Sequence, residues 1–254
     1  HALQVLDARP LIRVTHAYSD RTVRLDCWRI TRWRGEPHGR EAQAFAWVRP
    51  EAAQAYPILA ADGPILSALC LPDAYVFTPP TLDADTLAKG LPALPPAALL
   101  RLRLPALDDR AYRQVAARVV PRAQALGLRV LLDRDPAMVA EVGADGWHAS
   151  AALLRALDAR PSVALCVASC HEPAELQRAA ALGFDAAVLG PLRPTASHPG
   201  EPGLGWVRAA SWLQDAKLPV YVIGGVGPAD LPEVHAQYAQ GVAGISAYWT
   251  AAER

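Results

Sequence analysis

From residue 74 onward one pattern repeats: a short β-rich run, a turn, a helical stretch, then another β-rich run. Eight runs can be counted: Tyr75–Thr78, Leu99–Leu104, Arg129–Asp133, Gly146–Ser150, Val163–Ser169, Ala186–Gly190, Val220–Gly224 and Val242–Ala247. The helical stretches are clearest at Asp109–Leu126, Pro136–Val142, Ala151–Ala159, Pro173–Leu182, Trp206–Lys217 and Pro228–Gln237. Strands separated by crossover helices run parallel. Eight in close succession predict an α/β fold, a closed (β/α)8 TIM barrel. The punctuation agrees. Pro136, Pro173 and Pro228 fall at first helical turns, where a missing N–H costs nothing. Gly127, Gly143 and Gly183 fall just past helix ends, where a positive φ is needed.

The first part of the chain reads differently. Leu11–Thr15, Thr22–Trp33 and Gln43–Val48 carry strand signals, with turns at Ser19-Asp20 and Gly35-Glu36-Pro37. This predicts a partial antiparallel sheet of three strands before the barrel. Pro72–Pro80 combines a linker with the first barrel strand, so the expected units are 1–70 and 71–254.

Composition narrows the partners. Lys plus Arg is 25 and Asp plus Glu is 25, so no general field draws in nucleic acid or an anionic membrane. Any phosphate site must be local. No apolar run approaches the ~20 residues that span a bilayer. Residues His1 to Asp7 lack the pattern of a secretory leader, and a cytoplasmic location is expected. Cys27, Cys70, Cys166 and Cys170 form no CxxC pair and read as free thiols, the last two as core residues. The chain opens on His1 and its single methionine is Met138, so a removed N-terminus or a fragment is expected, and the first segment reads as the back half of a domain.

In such barrels chemistry gathers where the strands end. The candidates there are Thr78, Arg103, Asp133, Arg134, His148, Ser169, His171, Gly190, Thr195, Ser197, His198, Gly224, Gly225 and Ser246. Gly224-Gly225-Val226-Gly227, leading into the Pro228 helix, can bring backbone N–H groups against a phosphate, and Ser246 ends the next strand. The plainer reading is two tight turns; the position after the seventh strand favours phosphate. The loop Gly190–His198 could lid a ligand or be an ordinary Pro-rich connection. A histidine, with its ordinary pKa of ~6.5, can take and return a proton near neutrality, which makes His171 the candidate proton carrier. His148 reads as a packing residue at its strand end, and His198 as a phosphate or solvent contact.

Several segments carry a family resemblance. Ala144-Asp145-Gly146-Trp147-His148, Ser169-Cys170-His171, Gly190-Pro191, Pro194 to His198 and Val220 to Val226 resemble the signatures of thiamin phosphate synthases and TenI-type thiazole tautomerases. The resemblance implies a phosphorylated thiazole or pyrimidine ligand. The synthase joins a pyrimidine pyrophosphate to a thiazole phosphate and uses Mg²⁺. Its Asn-Asp pair falls on Asp133 and Arg134, and its second Mg²⁺-binding Asp falls on Ala152. Its Arg-x-Lys becomes Arg103-Leu104-Pro105, and the lysine after its Thr-x-Thr loop becomes His198. The single-phosphate half, Thr195, Ser197, Gly224, Gly225, Val226 and Ser246, is kept. The expectation is therefore TenI-like, metal-free proton transfer by His171 without a cofactor. The alternatives are a synthase with unusual ligands and a non-catalytic module that binds thiazole or thiamin phosphate and is attached to a MutT-type nucleoside diphosphate hydrolase.

Residues 3–69 resemble the second half of a MutT-type Nudix hydrolase, through His16 to Arg21, Trp28-Arg29-Ile30, Trp33 to Gln43, Trp47 and Ala61 to Ile65. Glu41 matches a metal-binding glutamate of that family, and Asp62 falls where a purine-reading asparagine stands. The Nudix box itself is absent, so nucleotide hydrolysis is not expected here. Mg²⁺ would be needed if that half were complete or if the synthase alternative held. A half sheet exposes edges, so it is expected to pack on a barrel flank, a second copy or a separate N-terminal half.

Overall fold

The computed structural model describes residues 3–39, 44–195, 200 and 202–249. Eight strands close a parallel barrel: β3 (Ala74–Phe77), β4 (Leu99–Leu102), β5 (Arg129–Leu132), β6 (Gly146–Ala149), β7 (Leu165–Cys170), β8 (Ala186–Leu189), β9 (Val220–Ile223) and β10 (Gly241–Gly244). Consecutive strands are neighbours, and β10 pairs with β3 to complete the ring. Every predicted barrel strand is present within a few residues of its expected ends.

Alternation of side chains builds two cores. Tyr75, Phe77, Leu99, Leu131, Val167, Val188, Tyr221 and Ala243 fill the inside of the barrel. Residues of the other parity, such as Val76, Leu100, Leu132, Trp147 and Leu189, pack outward against the helices. Each such buried aliphatic side chain contributes roughly 1.5–3 kcal/mol over its exposed state. The helices are α3 (Asp109–Ala125), α4 (Ala137–Val142), α5 (Ala151–Ala156), α6 (Pro173–Ala181), α7 (Gly205–Gln214) and α8 (Leu231–Ala236). Asp108 and Ser150 cap α3 and α5 with side-chain oxygens on backbone N–H groups.

Two helices were not anticipated. Between β3 and β4 lies α2 (Ala84–Gly90), which Asp83 caps through the N–H groups of Asp85 and Thr86. Before the barrel lies α1 (Gly63–Cys70), in a stretch expected to belong to a sheet domain. The last helix is also shorter than expected. Pro228–Asp230 form a 3-10 turn, and α8 begins only at Leu231.

The N-terminal segment is a two-stranded antiparallel hairpin, β1 (Gln4–Ala17) and β2 (Thr22–Arg34). The expected third strand, Gln43–Val48, is corrected: Gln43 lies outside the described residues, and 44–48 have no strand partner and run irregularly. Phe45, Trp47 and Val48 have strand-forming side chains, but a strand exists only where a neighbour takes its hydrogen bonds. Leu11, Ile12 and Val14 of β1 bury themselves with Ala68 of α1. Arg9 pairs with Asp73 at 2.7 Å, and Arg13 stacks 4.1 Å over the Tyr238 ring. The hairpin thus rests on α1 and the α8 flank of the barrel. Gln240 fastens the junction by donating to the carbonyls of Ala68 and Leu71 at 3.2 and 2.9 Å.

That junction leaves no room at the start of β10. A Cβ on Gly241 would come within 2.0 Å of the Asp73 carbonyl oxygen, whereas one on Gly63 meets nothing within 4 Å. Gly241→Ala should lower stability in urea denaturation by about 1–3 kcal/mol or more, because backbone must shift to admit it. Gly63→Ala should leave the midpoint unchanged or raise it slightly.

Candidate active site

The inward parity of the barrel decides which side chains reach the mouth. On β4 the inward row continues from Leu99 to Arg101 and Arg103; on β5 it continues from Leu131 to Asp133. Arg101 is 8% exposed and donates from Nη2 to Asp133 Oδ2 at 3.1 Å. Its guanidinium carbon stands 4.9 Å from the Phe77 ring centroid, and its buried Nε has no hydrogen-bond partner. Arg101 was not among the sequence candidates. The parity of Leu99 would have found it.

Arg103 lies one layer nearer solvent and is half-buried. Its backbone is clamped by Thr78: the Arg103 N–H donates to Thr78 Oγ1 at 2.8 Å, and that hydroxyl donates to the Arg103 carbonyl at 3.0 Å. Among the described residues its guanidinium has no hydrogen-bond partner. Burial first, and the charge of Arg101 second, hold its pKa below the usual value. Arginine nevertheless stays charged.

Arg134 is placed elsewhere. It has the outward parity of β5, and its Nη2 donates to the carbonyls of Leu104 and Leu107 at 3.0 and 2.9 Å. It lies over Tyr112 and braces the loop before α3, so its charge is spent on backbone carbonyls outside the mouth.

His148 is fully buried inside the barrel, between Tyr75 and Ser169. Burial, reinforced by nearby Arg101, pushes its pKa well below the ordinary value and keeps it neutral. His171 is exposed at the end of β7. Its backbone N–H donates to Glu175 Oε2 at 2.6 Å, and its ring Nδ1 donates to the Gly190 carbonyl at 2.7 Å. In the neutral ring this leaves Nε2 as the unprotonated nitrogen. A cavity of about 420 Å³ opens beside it, lined by Gly190, Gly203, Leu204 and Arg208. A larger cavity of about 900 Å³ lies at the opposite end of the barrel, between α1 and the strand starts near Arg129 and Pro219. Barrel chemistry belongs to the other face, so we attach no catalysis to it.

Gly224 and Gly225 have φ of +96° and +67°. A Cβ on Gly224 would meet Pro191 at 2.7 Å, so the β9 loop is pressed against the β8 loop. Arg193 locks the two loops: its N–H donates to the Gly224 carbonyl at 3.0 Å and its Nη1 to the Gly225 carbonyl at 2.9 Å. With the carbonyls occupied, the N–H groups of Gly225 and Val226 have no acceptor among the described residues. The same holds for the N–H groups of Ser246 and Ala247 beyond β10. A Cβ on Gly227 would lie 3.5 Å from that of Ala247, which brings the two loops side by side. The expected helix end is not part of this cradle, because a 3-10 turn intervenes. Thr195 has a buried Oγ1 with no partner among the described residues. Ser197 and His198 lie outside the described residues, as does Glu41. Asp62 sits half-exposed before α1, near Cys27 and remote in sequence and fold from the barrel mouth.

These residues do not fit a divalent cation. Asp133 is engaged by Arg101, the adjoining position is Arg134, and Ala152 lies in α5. Among the described residues no three His, Cys, Asp or Glu side chains converge on one point. Nor is any helix among them long and apolar enough to cross a membrane.

Comparison with known proteins agrees with this barrel. Residues 74–248 match the family model for thiamine monophosphate synthase. A thiamine-phosphate synthase of Xanthomonas campestris is 32% identical over 190 residues, covering 70% of this chain and 88% of that protein. A putative thiamine-phosphate synthase of Geobacter sulfurreducens is 33% identical over 58% of this chain and 71% of that protein. The structure of thiamine phosphate pyrophosphorylase from Pyrococcus furiosus superposes with a TM-score of 0.55 at 19% identity, covering 68% of this chain and 85% of that one. The family match begins at residue 74, and nothing in these comparisons supports the Nudix resemblance of the N-terminal segment.

A neutral, buried His148 makes stability depend on pH. Its folded pKa is depressed, so below the unfolded value of ~6.5 the unfolded chain binds a proton that the folded chain refuses. Stability contributed above that pH is lost as pH falls, by at most about 1.4 kcal/mol per pH unit for one proton. Urea midpoints measured from pH 7 to pH 5 should fall more steeply for the wild type than for His148→Gln.

Proposed function

The chain belongs to the thiamine monophosphate synthase family, and from that premise we propose that its barrel binds a thiazole phosphate and joins it to a pyrimidine pyrophosphate. The observation that carries this reading is the pair of guanidiniums on the inward row of β4. Arg101 and Arg103 supply fixed positive charge at the mouth, offset in part by Asp133. A leaving pyrophosphate develops negative charge as its bond to the pyrimidine carbon breaks, and preorganised cations in a half-buried site stabilise that charge strongly. The amides of Gly225, Val226, Ser246 and Ala247 suit the single phosphate of the thiazole partner, since backbone N–H groups neutralise a small anion without a counter-charged side chain. Thr195 can add a hydroxyl donor. The names of the relatives favour this reading over proton transfer.

One specific observation favours a second reading. The Nδ1 of His171 is committed to the Gly190 carbonyl, which leaves Nε2 exposed beside the cavity and able to accept a proton. A thiazole phosphate carrying a carboxylate could be tautomerised there, the proton leaving one ring carbon for Nε2 and returning to another. Hydrolysis by the hairpin segment is not proposed.

Incubation with thiazole phosphate and hydroxymethylpyrimidine pyrophosphate separates the readings. The first predicts stoichiometric release of pyrophosphate, falling about 100-fold or more in Arg101→Gln. Absence of release in the wild type removes it. The second predicts tautomer exchange that His171→Ala abolishes; exchange unaffected by that change removes the proton carrier. Thiazole phosphate binding without either turnover would leave a binding module.

A further inference from the structure

The strand starts form the floor of the barrel, and α1 with the 3-10 turn Pro50–Ala55 passes beneath it. The cavity of about 900 Å³ lies between them. Pockets for small molecules span roughly 300–1,000 Å³. Leu66 of α1, Leu165 of β7, Phe184 and Leu218 supply apolar walls, and the exposed side chains of Tyr56 and Ile58 form a lip. Apolar surface of this kind gains by being covered.

Five charged residues line the same space: Glu51, Arg129, Asp145, Asp185 and Lys217. Two of them are already used. Asp145 Oδ2 accepts from the Val130 N–H at 2.7 Å and from Gln124 Nε2 at 3.1 Å. Asp185 Oδ2 accepts from the Cys166 N–H at 2.7 Å and pairs with Arg160 at 2.8 Å. Both carboxylates hold strand starts in place. Glu51 stands exposed on the 3-10 turn, near enough to Cys70 that its charge, after burial, raises that thiol's pKa. Arg129 and Lys217 are different. Among the described residues neither forms an ion pair. Lys217 is exposed before β9, whereas Arg129 is half-buried. On β5 the inward row runs Arg129, Leu131, Asp133, so Arg129 hangs beneath the barrel interior. One of its nitrogens, Nη2, donates to the Cys70 carbonyl at 2.9 Å. That bond fixes the guanidinium without neutralising it, and an arginine stays charged.

We propose that the floor cavity binds an amphiphilic organic carboxylate, its anionic head on Arg129 and its apolar body across Leu66, Leu165, Phe184 and Leu218. A planar guanidinium matches a carboxylate and makes strong charge-assisted hydrogen bonds to it. Lys217 adds positive field at the far side. An apolar body is required as well, since an inorganic anion would leave the leucine and phenylalanine walls wet. The site does not depend on the function proposed for the mouth. Tyr75, Leu131 and Tyr221 fill the barrel between the two ends.

Calorimetric titration of the full chain with octanoate and with octylammonium, equal in length and opposite in charge, tests this. Octanoate should bind one to one and at least tenfold more tightly than octylammonium. Arg129→Gln keeps a donor for the Cys70 carbonyl and removes the charge; it should weaken octanoate at least tenfold. Leu66→Trp fills the space from α1 and should weaken it by a similar factor, which guards against an Arg129 variant that fails to fold. Arg101→Gln, at the mouth, should leave octanoate affinity unchanged. No binding of octanoate, equal binding of the two amphiphiles, or affinity indifferent to both floor variants overturns the site. Loss of octanoate binding in Arg101→Gln would move the ligand to the mouth and overturn it too.

Discussion

The contact on which this mouth depends is the ion pair of Arg101 and Asp133, 3.1 Å apart at the top of the barrel interior. A buried guanidinium needs a partner, and breaking one side of such a pair leaves an uncompensated charge. Three consequences follow from its presence. Asp133 is drawn toward a cation of the protein itself. His148, which burial already keeps neutral, is held further from charging by this fixed positive charge. And the inner wall of the mouth, with Arg103 above, carries a net cationic row along β4. An acidic cluster able to recruit a metal and a cationic row are opposite ways to meet an anionic ligand, and the function proposed for the mouth rests on the cationic row of Arg101 and Arg103.

The barrel also separates its tasks around the ring. Backbone amides at the ends of β9 and β10 suit a small compact anion. The β9 loop is held in place by Arg193, whose own charge is used on Asp230 and on the Gly225 carbonyl. Guanidiniums on β4 suit a more highly charged group. Between these two faces, His148 and Ser169 present neutral polarity. His171 stands apart on the β7 end, its ring anchored by Gly190 and its backbone by the buried Glu175. Glycine at 190 is required by packing as well, because a Cβ there would come 2.4 Å from the Ile223 carbonyl oxygen.

Much of the barrel was legible because its signals are local and redundant. Six of the eight β-rich runs end in Gly or a polar residue, and Pro or Gly marks the start or stop of α3, α4 and α6. What was missed has physical reasons. The helix Ala84–Gly90 is only seven residues long and is flanked by prolines, so its cap at Asp83 was the one available signal. Gln43–Val48 looked like a strand because strand propensity resides in side chains, whereas pairing depends on a neighbour that sequence cannot supply. The site was less legible than the fold. Listing strand ends gathered Arg134 with Asp133, although adjacent residues on a strand face opposite ways. Applying parity from Leu131 and Leu99 separates them, turning Arg134 outward and bringing Arg101 in. No such rule reveals that Arg101 and Asp133 pair, since that is a contact between strands.

The central claim is that anionic ligands meet guanidinium charge at this mouth and need no divalent cation for binding. Calorimetric titration of inorganic pyrophosphate into the protein in EDTA, repeated with Arg101→Gln, tests it directly. The account predicts binding that persists in EDTA and weakens at least tenfold in the variant. Binding that appears only when Mg²⁺ is restored, or that is indifferent to the loss of Arg101, would contradict it.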